Sequence, residues 1–383
     1  MKIIADENIP LLKECFGEMG DLVAILGRGI TAEDVHNADA LLVRSVTKVN
    51  ELLVNNNTSL KFVATSTSGV DHIDQQLLQR LGISFFSAEG CNATAVSEYV
   101  LSALDILSEK YCFNLRDRTF GVVGSGQIGS RLVNIFQHIG LRVLVTDPLC
   151  EKAGGVEYVS LEKLIECCDV ISLHTPLTVD GPFPTYHMIK KHELEAMRDG
   201  TVLISAGRGA VVDNLALQQC LKSGKDIKVV MDVWEHEPDI DFELLKRVDL
   251  ATPHIAGYSL DSKIAGTEMI YKAFCRCFGL PARIRTAAIT PIPSLRMMSF
   301  IENSTVEEVA SAAIRAVYDI RRDDAWMRQF LLMDKDEAKR AFDLMRANYP
   351  VRREFSTLRI KLKRCSDEAR KKISSLGFHV FDE

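Results

Sequence analysis

Residues 119–148 read TFGVVGSGQIGSRLVNIFQHIGLRVLVTDP. The apolar run 120–123 predicts a short buried strand, 130–140 spaces its apolar residues as a helix does, and 142–146 predicts a second strand. Between the first strand and the helix stands Gly124-Ser125-Gly126-Gln127-Ile128-Gly129, a G-x-G-x-x-G in the order that dinucleotide binding requires. Glycines there permit a tight turn and close approach to a pyrophosphate, whose charge is stabilised by free N–H groups and the positive end of the helix dipole. Gly124, Gly126, Gln127, Ile128 and Gly129 are therefore candidate cofactor contacts. A glycine turn can also be purely structural, so the loop alone is weak evidence. Asp147 strengthens it: it ends the next strand, eighteen residues after Gly129, where a carboxylate accepts from the adenosine ribose hydroxyls. A carboxylate repels a 2′-phosphate, so the expected cofactor is NAD, not NADP.

Outward from this unit the pattern repeats. Strands are predicted at 170–173, 202–205 and 229–233 on the C-terminal side, and at 2–5, 40–43, 62–64 and 83–86 on the N-terminal side. Short apolar strands alternating with helical stretches predict parallel α/β sheets. A helix over 92–107 links the two regions. Near Pro281 the register changes. The stretch RTAAITPIPSLRMMSF is read as a connector leading into a strand, followed by helices at 304–317, 326–332 and 335–347 and strands at 357–362 and 379–381, an α+β pattern. The expected fold is α/β, with two doubly wound parallel-sheet domains of Rossmann type and a C-terminal α+β domain. Expected boundaries are 1–95 with 258–286, then 96–257, then 287–383.

Composition narrows the function. A chain of 383 residues with 47% hydrophobic and 26% charged side chains is an ordinary globular protein of two or three domains. The 46 Lys and Arg against 52 Asp and Glu give a net charge of −6, which offers no basic field for nucleic acid or an anionic membrane. The ten cysteines include no C-x-x-C pair, so neither a zinc module nor a disulfide scaffold is indicated, and no metal site is expected. Free thiols and an N-terminus without a signal peptide's apolar stretch lead to the expectation of a cytoplasmic protein.

Chemistry is expected at the strand ends, where ligands of open α/β sheets bind. Thr175 follows the strand 170–173. ISAGRGAVVD presents Arg208 between two glycines, a guanidinium suited to clamping a carboxylate. VVMDVWEHEP supplies Asp232 and Glu237, and ATPHIAGYS supplies His254. Oxidation of an alcohol needs a base for the hydroxyl proton while hydride leaves carbon; an imidazole suits this, and a neighbouring carboxylate orients it. Each of these residues alone has an ordinary structural explanation, and the case for His254 rests on its company. His236 is its main competitor. His36, His72, His138, His187, His192 and His379 are read as structural or exposed.

Taken together, GSGQIG with Asp147, AGRGAVVD, DVWEHEP and TPHIAGYS resemble the D-isomer-specific 2-hydroxyacid dehydrogenases in order and spacing. The resemblance implies two Rossmann-like domains with an active site in their cleft, the later chain crossing back to the first domain. It implies Arg208 as carboxylate clamp, His254 as acid/base and Glu237 as its partner. It adds Ala206, Gly207, Asp232 and Gly257, with Arg208, to the NAD contacts. VRSVTKVNELL (43–53), ATSTSGVDHID (64–74), EGCNATAVSEYV (89–100), HIAGYSLDSKIAGT (254–267) and VYDIRRDD (317–324) resemble a narrower set within the family. That set implies a phosphorylated four-carbon 2-hydroxy acid as small-molecule substrate, a step in pyridoxal 5′-phosphate biosynthesis, and a homodimer formed through the C-terminal domain. Implied substrate contacts are Ser45, Thr67 and Tyr258, with Arg44 as a phosphate partner. Arg321, Arg322, Asp323 and Asp324 are read as a solvated charge run. Two alternatives stay open: another 2-hydroxy acid, as in phosphoglycerate dehydrogenases, or an NAD-sensing binding protein of dehydrogenase fold.

Overall fold

The computed structural model describes residues 1–150, 156–301, 304–363 and 365–381. The chain divides into two compact units, Met1–Ala93 with Tyr258–Ile292, and Thr94–Gly257 with Pro293–Glu383.

The first unit is built on five parallel strands, β1 (Lys2–Asp6), β2 (Asp21–Ile25), β3 (Ala40–Val43), β4 (Phe62–Thr65) and β5 (Ser84–Ser87), in the order β2-β1-β3-β4-β5. Successive side chains on a strand point to opposite faces, so each strand feeds two cores. Ile3, Ala5, Leu42, Phe62 and Ala64 pack with Phe16, Tyr271 and Phe274, whereas Ile4, Leu41, Val43 and Val63 pack with Val35, Leu53 and Leu77. The first core is closed by the helix Leu260–Cys277, whose Phe274 meets Phe16 edge to face at 5.4 Å. The segment Tyr258–Ile292 is thus part of the first sheet's packing. β2 escaped the sequence reading because it is an edge strand with no fully buried residue, so its apolar signal is diluted.

The second unit holds seven parallel strands: β6 (Thr119–Val123), β7 (Arg142–Thr146), β8 (Glu157–Tyr158), β9 (Val170–Leu173), β10 (Thr201–Ser205), β11 (Ile227–Met231) and β12 (Leu250–Ala251). Their order is β12-β11-β10-β9-β6-β7-β8. The chain leaves β6 toward β7 and returns to β9 on the other side, so a topological switch point opens at the C-terminal ends of β6 and β9. β8 and β12 are two-residue edge strands, too short for sequence periodicity to register.

A three-stranded parallel sheet, β13 (Met297–Phe300), β14 (Arg359–Leu362) and β15 (His379–Phe381), follows in the C-terminal segment. The sequence reading sets residues 287–383 apart; compactness joins those from 293 onward to the second unit. The cause is packing: Met327, Phe330, Ala338 and Phe342 share one core with Leu244, Leu245 and Val248, and Arg328 donates to the carbonyls of Leu245 and Val248. The charge run is also corrected. Asp323 is fully buried and accepts from Tyr318 Oη at 3.0 Å, Tyr349 Oη at 2.6 Å and Arg322 Nε at 2.9 Å. Asp324 accepts the amide of Ala251 on β12 at 2.8 Å. Buried charges persist where they are paired and hydrogen-bonded, and Asp323 satisfies that rule, while Asp324 is half-buried and Arg321 and Arg322 are exposed as read.

Candidate active site

The loop after β6 turns at Gly124, whose φ of +91° is a conformation that L side chains rarely adopt. A Cβ on Gly124 would sit 2.8 Å from the carbonyl oxygen of His174, and one on Gly129 would sit 1.8 Å from the carbonyl oxygen of Gly124. Gly126, by contrast, faces open space. It precedes the helix Gln127–His138 without a side-chain cap, so the first N–H groups of that helix, from Gln127 and Ile128 onward, are left for a ligand. These are the features of an anion cradle.

Asp147 is tied to this cradle. Its Oδ2 accepts the amide of Ser125 at 2.7 Å, and its Oδ1 accepts those of Leu149 and Cys150 at 3.0 and 3.2 Å. Burial works to raise its pKa, but the hydrogen bonds from Ser125, Leu149 and Cys150 outweigh it and hold the carboxyl below its ordinary value. Across the switch point, Thr175 carries a buried hydroxyl with no hydrogen-bond partner among the described residues. Such an orphaned donor is costly unless a ligand meets it. Ala206 and Gly207 lie alongside, since a Cβ on Gly207 would approach the Thr175 carbonyl to 3.2 Å. An open cradle, a ribose-side carboxylate and an orphaned hydroxyl fit a dinucleotide. His174, bonded to Ser172 at 2.8 Å, is pushed down to about 3 by burial and is a neutral structural residue.

Arg208, Glu237 and His254 come from the loops after β10, β11 and β12, and they line one cavity of about 290 Å³ with Leu177, Tyr186, Trp234 and His236. The loops meet closely: a Cβ on Gly209 would fall 2.0 Å from the Trp234 carbonyl oxygen, so only glycine fits beside Arg208. Nδ1 of His254 is 2.8 Å from Oε2 of Glu237, whose Oε1 accepts the Trp234 amide at 2.8 Å. Burial acts to raise the Glu237 pKa, but the His254 charge, its hydrogen bond and the Trp234 amide prevail and lower it. A carboxylate only accepts, so Nδ1 carries the proton of a neutral His254 and Nε2 is left as the basic atom. His236 lines the same cavity but is exposed, and the carboxylate of Glu237 is directed to His254.

Asp232, at the end of β11, anchors the loop that carries His254. It is buried, and its oxygens accept from Thr252 Oγ1 at 2.6 Å, the Ile255 amide at 2.7 Å and the Ala256 amide at 2.9 Å, while its own carbonyl accepts the His254 amide at 2.7 Å. Burial raises its pKa, against the opposing influence of the His254 charge and these hydrogen bonds. Asp232 therefore holds the 252–256 loop, keeping His254 at φ +57° and Gly257 in line. Arg352 holds it from the other side, donating to Ala256 O at 3.0 Å and Ala95 O at 2.6 Å with its guanidinium 3.7 Å from the Tyr318 ring centroid. No motif surrounds Arg352, and sequence reasoning missed it.

In the first unit, Arg44 and Ser45 follow β3, and Ser45 is exposed. Thr67 donates to the Gly69 carbonyl at 3.1 Å and lies 2.7 Å from Thr65 Oγ1, which is 3.0 Å from Nε2 of His72. Its single proton is thus committed to the loop, and what it presents outward is an acceptor lone pair. Tyr258 lies under the ammonium of Lys263.

The family model described as "D-isomer specific 2-hydroxyacid dehydrogenase, NAD binding domain" matches residues 103–256, and one described as a domain of unknown function matches 289–377. The erythronate-4-phosphate dehydrogenase of Ectopseudomonas mendocina is 46% identical over 377 residues, covering 98% of this chain and 99% of its own. That of Marinobacter nauticus is 46% identical over 384 residues, covering 99% and 100%. Among solved structures, D-lactate dehydrogenase from Aquifex aeolicus complexed with NAD and lactic acid has a TM-score of 0.61 at 26% identity, covering 73% of this chain and 96% of that one. NAD+-bound 3-phosphoglycerate dehydrogenase of Entamoeba histolytica has 0.63 at 24%, covering 74% and 98%, a likeness of fold. The chain belongs to the erythronate-4-phosphate dehydrogenases, NAD-dependent oxidoreductases of the D-isomer-specific 2-hydroxyacid dehydrogenase family.

Proposed function

We propose that this protein oxidises 4-phospho-D-erythronate at C2 to (R)-3-hydroxy-2-oxo-4-phosphooxybutanoate, with NAD reduced to NADH and a proton released, as a step in pyridoxal 5′-phosphate synthesis. The observation that carries this is the meeting of Arg208, His254 and Glu237 on one cavity. NAD, when bound, takes the hydride that leaves C2. Arg208 clamps the substrate carboxylate and polarises the reacting oxygen. Nε2 of His254 removes the hydroxyl proton, and the resulting imidazolium is stabilised by Glu237. Gly124, Gly126, Gln127, Ile128, Gly129 and Asp147 hold the cofactor, helped by Thr175, Ala206, Gly207, Arg208 and Gly257, while Asp232 acts on it through the 252–256 loop. Ser45, Thr67 and Tyr258 are the substrate contacts, Thr67 as an acceptor from the C3 hydroxyl.

The domain assignment is a substrate-binding part at 1–95 with 258–286, an NAD-binding part at 96–257 and a dimerisation part at 287–383. A homodimer is supported by the exposed apolar side chains of Leu295, Met297, Ile301, Leu332, Leu344 and Val351 in that last segment. The partners are the small-molecule substrate and a second copy. Among the described residues no helix is long and apolar enough to cross a membrane. A cytoplasmic setting is supported by ten cysteines among the described residues, none of them in a disulfide.

The test is an NADH-absorbance assay with 4-phospho-D-erythronate, 3-phosphoglycerate, D-lactate and D-glycerate. The highest kcat/KM is expected for 4-phospho-D-erythronate. Preference for another acid overturns the substrate; no turnover of any, with NAD still bound, favours the sensing protein.

A further inference from the structure

Lys263 lies in the first turn of the helix Leu260–Cys277. Unsatisfied N–H groups make that end of a helix electropositive, so it is the turn where a lysine is least favoured. Its ammonium stands 4.6 Å from the centroid of the Tyr258 ring, and its side chain is partly buried. Among the described residues, no carboxylate lies within ion-pair distance of Lys263 or of Arg44. Burial, and secondarily the charge of Arg44, lower the Lys263 pKa to about 8. Asp261 is the acidic residue of that same first turn, but Lys263 and Arg44 themselves stand side by side without an ion-paired carboxylate among the described residues, contrary to the rule that partly buried charges are paired. Places where a chain breaks such local rules are expected to be functional. Arg44 adds a second indication, because it follows β3 beside β1, at the switch point of the first sheet.

We propose that Lys263 and Arg44, with the Tyr258 hydroxyl, form the subsite for the phosphate monoester of the substrate. The proposal rests on the functional reading above and adds Lys263 to it. A phosphate monoester near neutral pH carries about −1.5 to −2 charges and three acceptor oxygens. The Arg44 guanidinium offers a planar fork for two of those oxygens, and the Lys263 ammonium offers a compact charge with three donors. Stacking on Tyr258 holds the ammonium without neutralising it, and the dipole of Leu260–Cys277, which disfavours the lysine alone, favours the anion it receives.

The experiment compares kcat/KM for 4-phospho-D-erythronate and D-erythronate in the full-length parent, in Lys263→Met, in Lys263→Arg and in Arg44→Met, together with the binding of inorganic phosphate by calorimetry. The ratio of the two efficiencies is expected to fall at least about tenfold in Lys263→Met and in Arg44→Met, through KM for the phosphorylated acid, with partial recovery in Lys263→Arg. Phosphate binding falls in parallel. Arg44→Met is on a separate element, so the test survives if Lys263→Met does not fold. An unchanged ratio in both Met variants overturns the subsite, as does an equal loss on both substrates. A parent that does not discriminate between the two acids overturns the substrate reading itself, and this is visible before any variant is made.

Discussion

The guanidinium of Arg352 donates to the carbonyl oxygen of Ala256 at 3.0 Å, across 96 residues of sequence. Because Asp232 accepts the amide of the same Ala256 at 2.9 Å, the peptide two residues after His254 is fixed from both ends. Removing Arg352 leaves the carbonyls of Ala95 and Ala256 without this donor, a cost of about 1–3 kcal/mol for each buried group left unsatisfied. Arg352→Met is expected to lower the thermal midpoint and also to lower kcat, because the loop bearing His254 loosens. Midpoint and kcat measured on the same preparation decide it: a lowered midpoint with unchanged kcat at low temperature removes Arg352 from the positioning of His254.

His254→Asn is expected to lower turnover by about 10²-fold or more, the size of a general-base contribution. NAD affinity should be unchanged, since the imidazole is remote in sequence and role from the Gly124–Gly129 cradle. Calorimetric NAD titration beside the turnover assay checks both halves. Near-normal turnover transfers the proton to His236 or to water.

Glu237 gives the pH dependence its sign. Its folded pKa is held below the ordinary carboxylate value, so the stability it contributes is present above the unfolded value and is lost as pH falls through the folded one. Glu237 is therefore held ionised beside His254 in the folded protein. In Glu237→Gln the negative partner of the acid/base residue is gone, and the dependence of kcat/KM on pH is expected to change. A profile of kcat/KM against pH that does not move separates the two residues functionally.

Asp147→Asn keeps the shape of the side chain but removes the charge that repels a 2′-phosphate. Discrimination for NAD over NADP is expected to shrink at least about tenfold, the effect of losing a charged hydrogen-bond acceptor. Because Asp147 also accepts the Ser125 amide, NAD affinity itself should fall. Equal discrimination in parent and variant, from kcat/KM with each cofactor, would falsify the role of this carboxylate.

Thr67 offers an acceptor, so Thr67→Ser should preserve efficiency on 4-phospho-D-erythronate. Thr67→Gly should reduce it more than on the analogue lacking the C3 hydroxyl. Efficiencies for the two acids in the three proteins cancel general damage to the fold. An unchanged ratio in Thr67→Gly leaves Thr67 only its bond to Gly69.

The sequence by itself determined the inner strands of both parallel sheets, though not the edge strands β2, β8 and β12, and with them the strand-loop-helix at 119–148 and the strand-end positions of Arg208, Glu237 and His254. These follow from local periodicity and from residues that end strands, and neither needs distant partners. Tertiary structure decided what depends on distant partners. Asp232 is read in sequence as a strand-end carboxylate, but Ile255 and Ala256, more than twenty residues later, turn it into the anchor of a loop. Asp323 and Asp324 read as solvent-facing charges, but Tyr318 and Tyr349 bond a buried Asp323 and the amide of Ala251 engages a half-buried Asp324. The helices after residue 300 show their apolar spacing in sequence, but that Phe330 and Phe342 pack into the core beneath β11 and β12 is visible only in the fold. In each case a side chain's role was set by burial and by hydrogen-bond partners far along the chain. Such long-range pairing leaves no periodicity in the sequence, and only the fold reveals it.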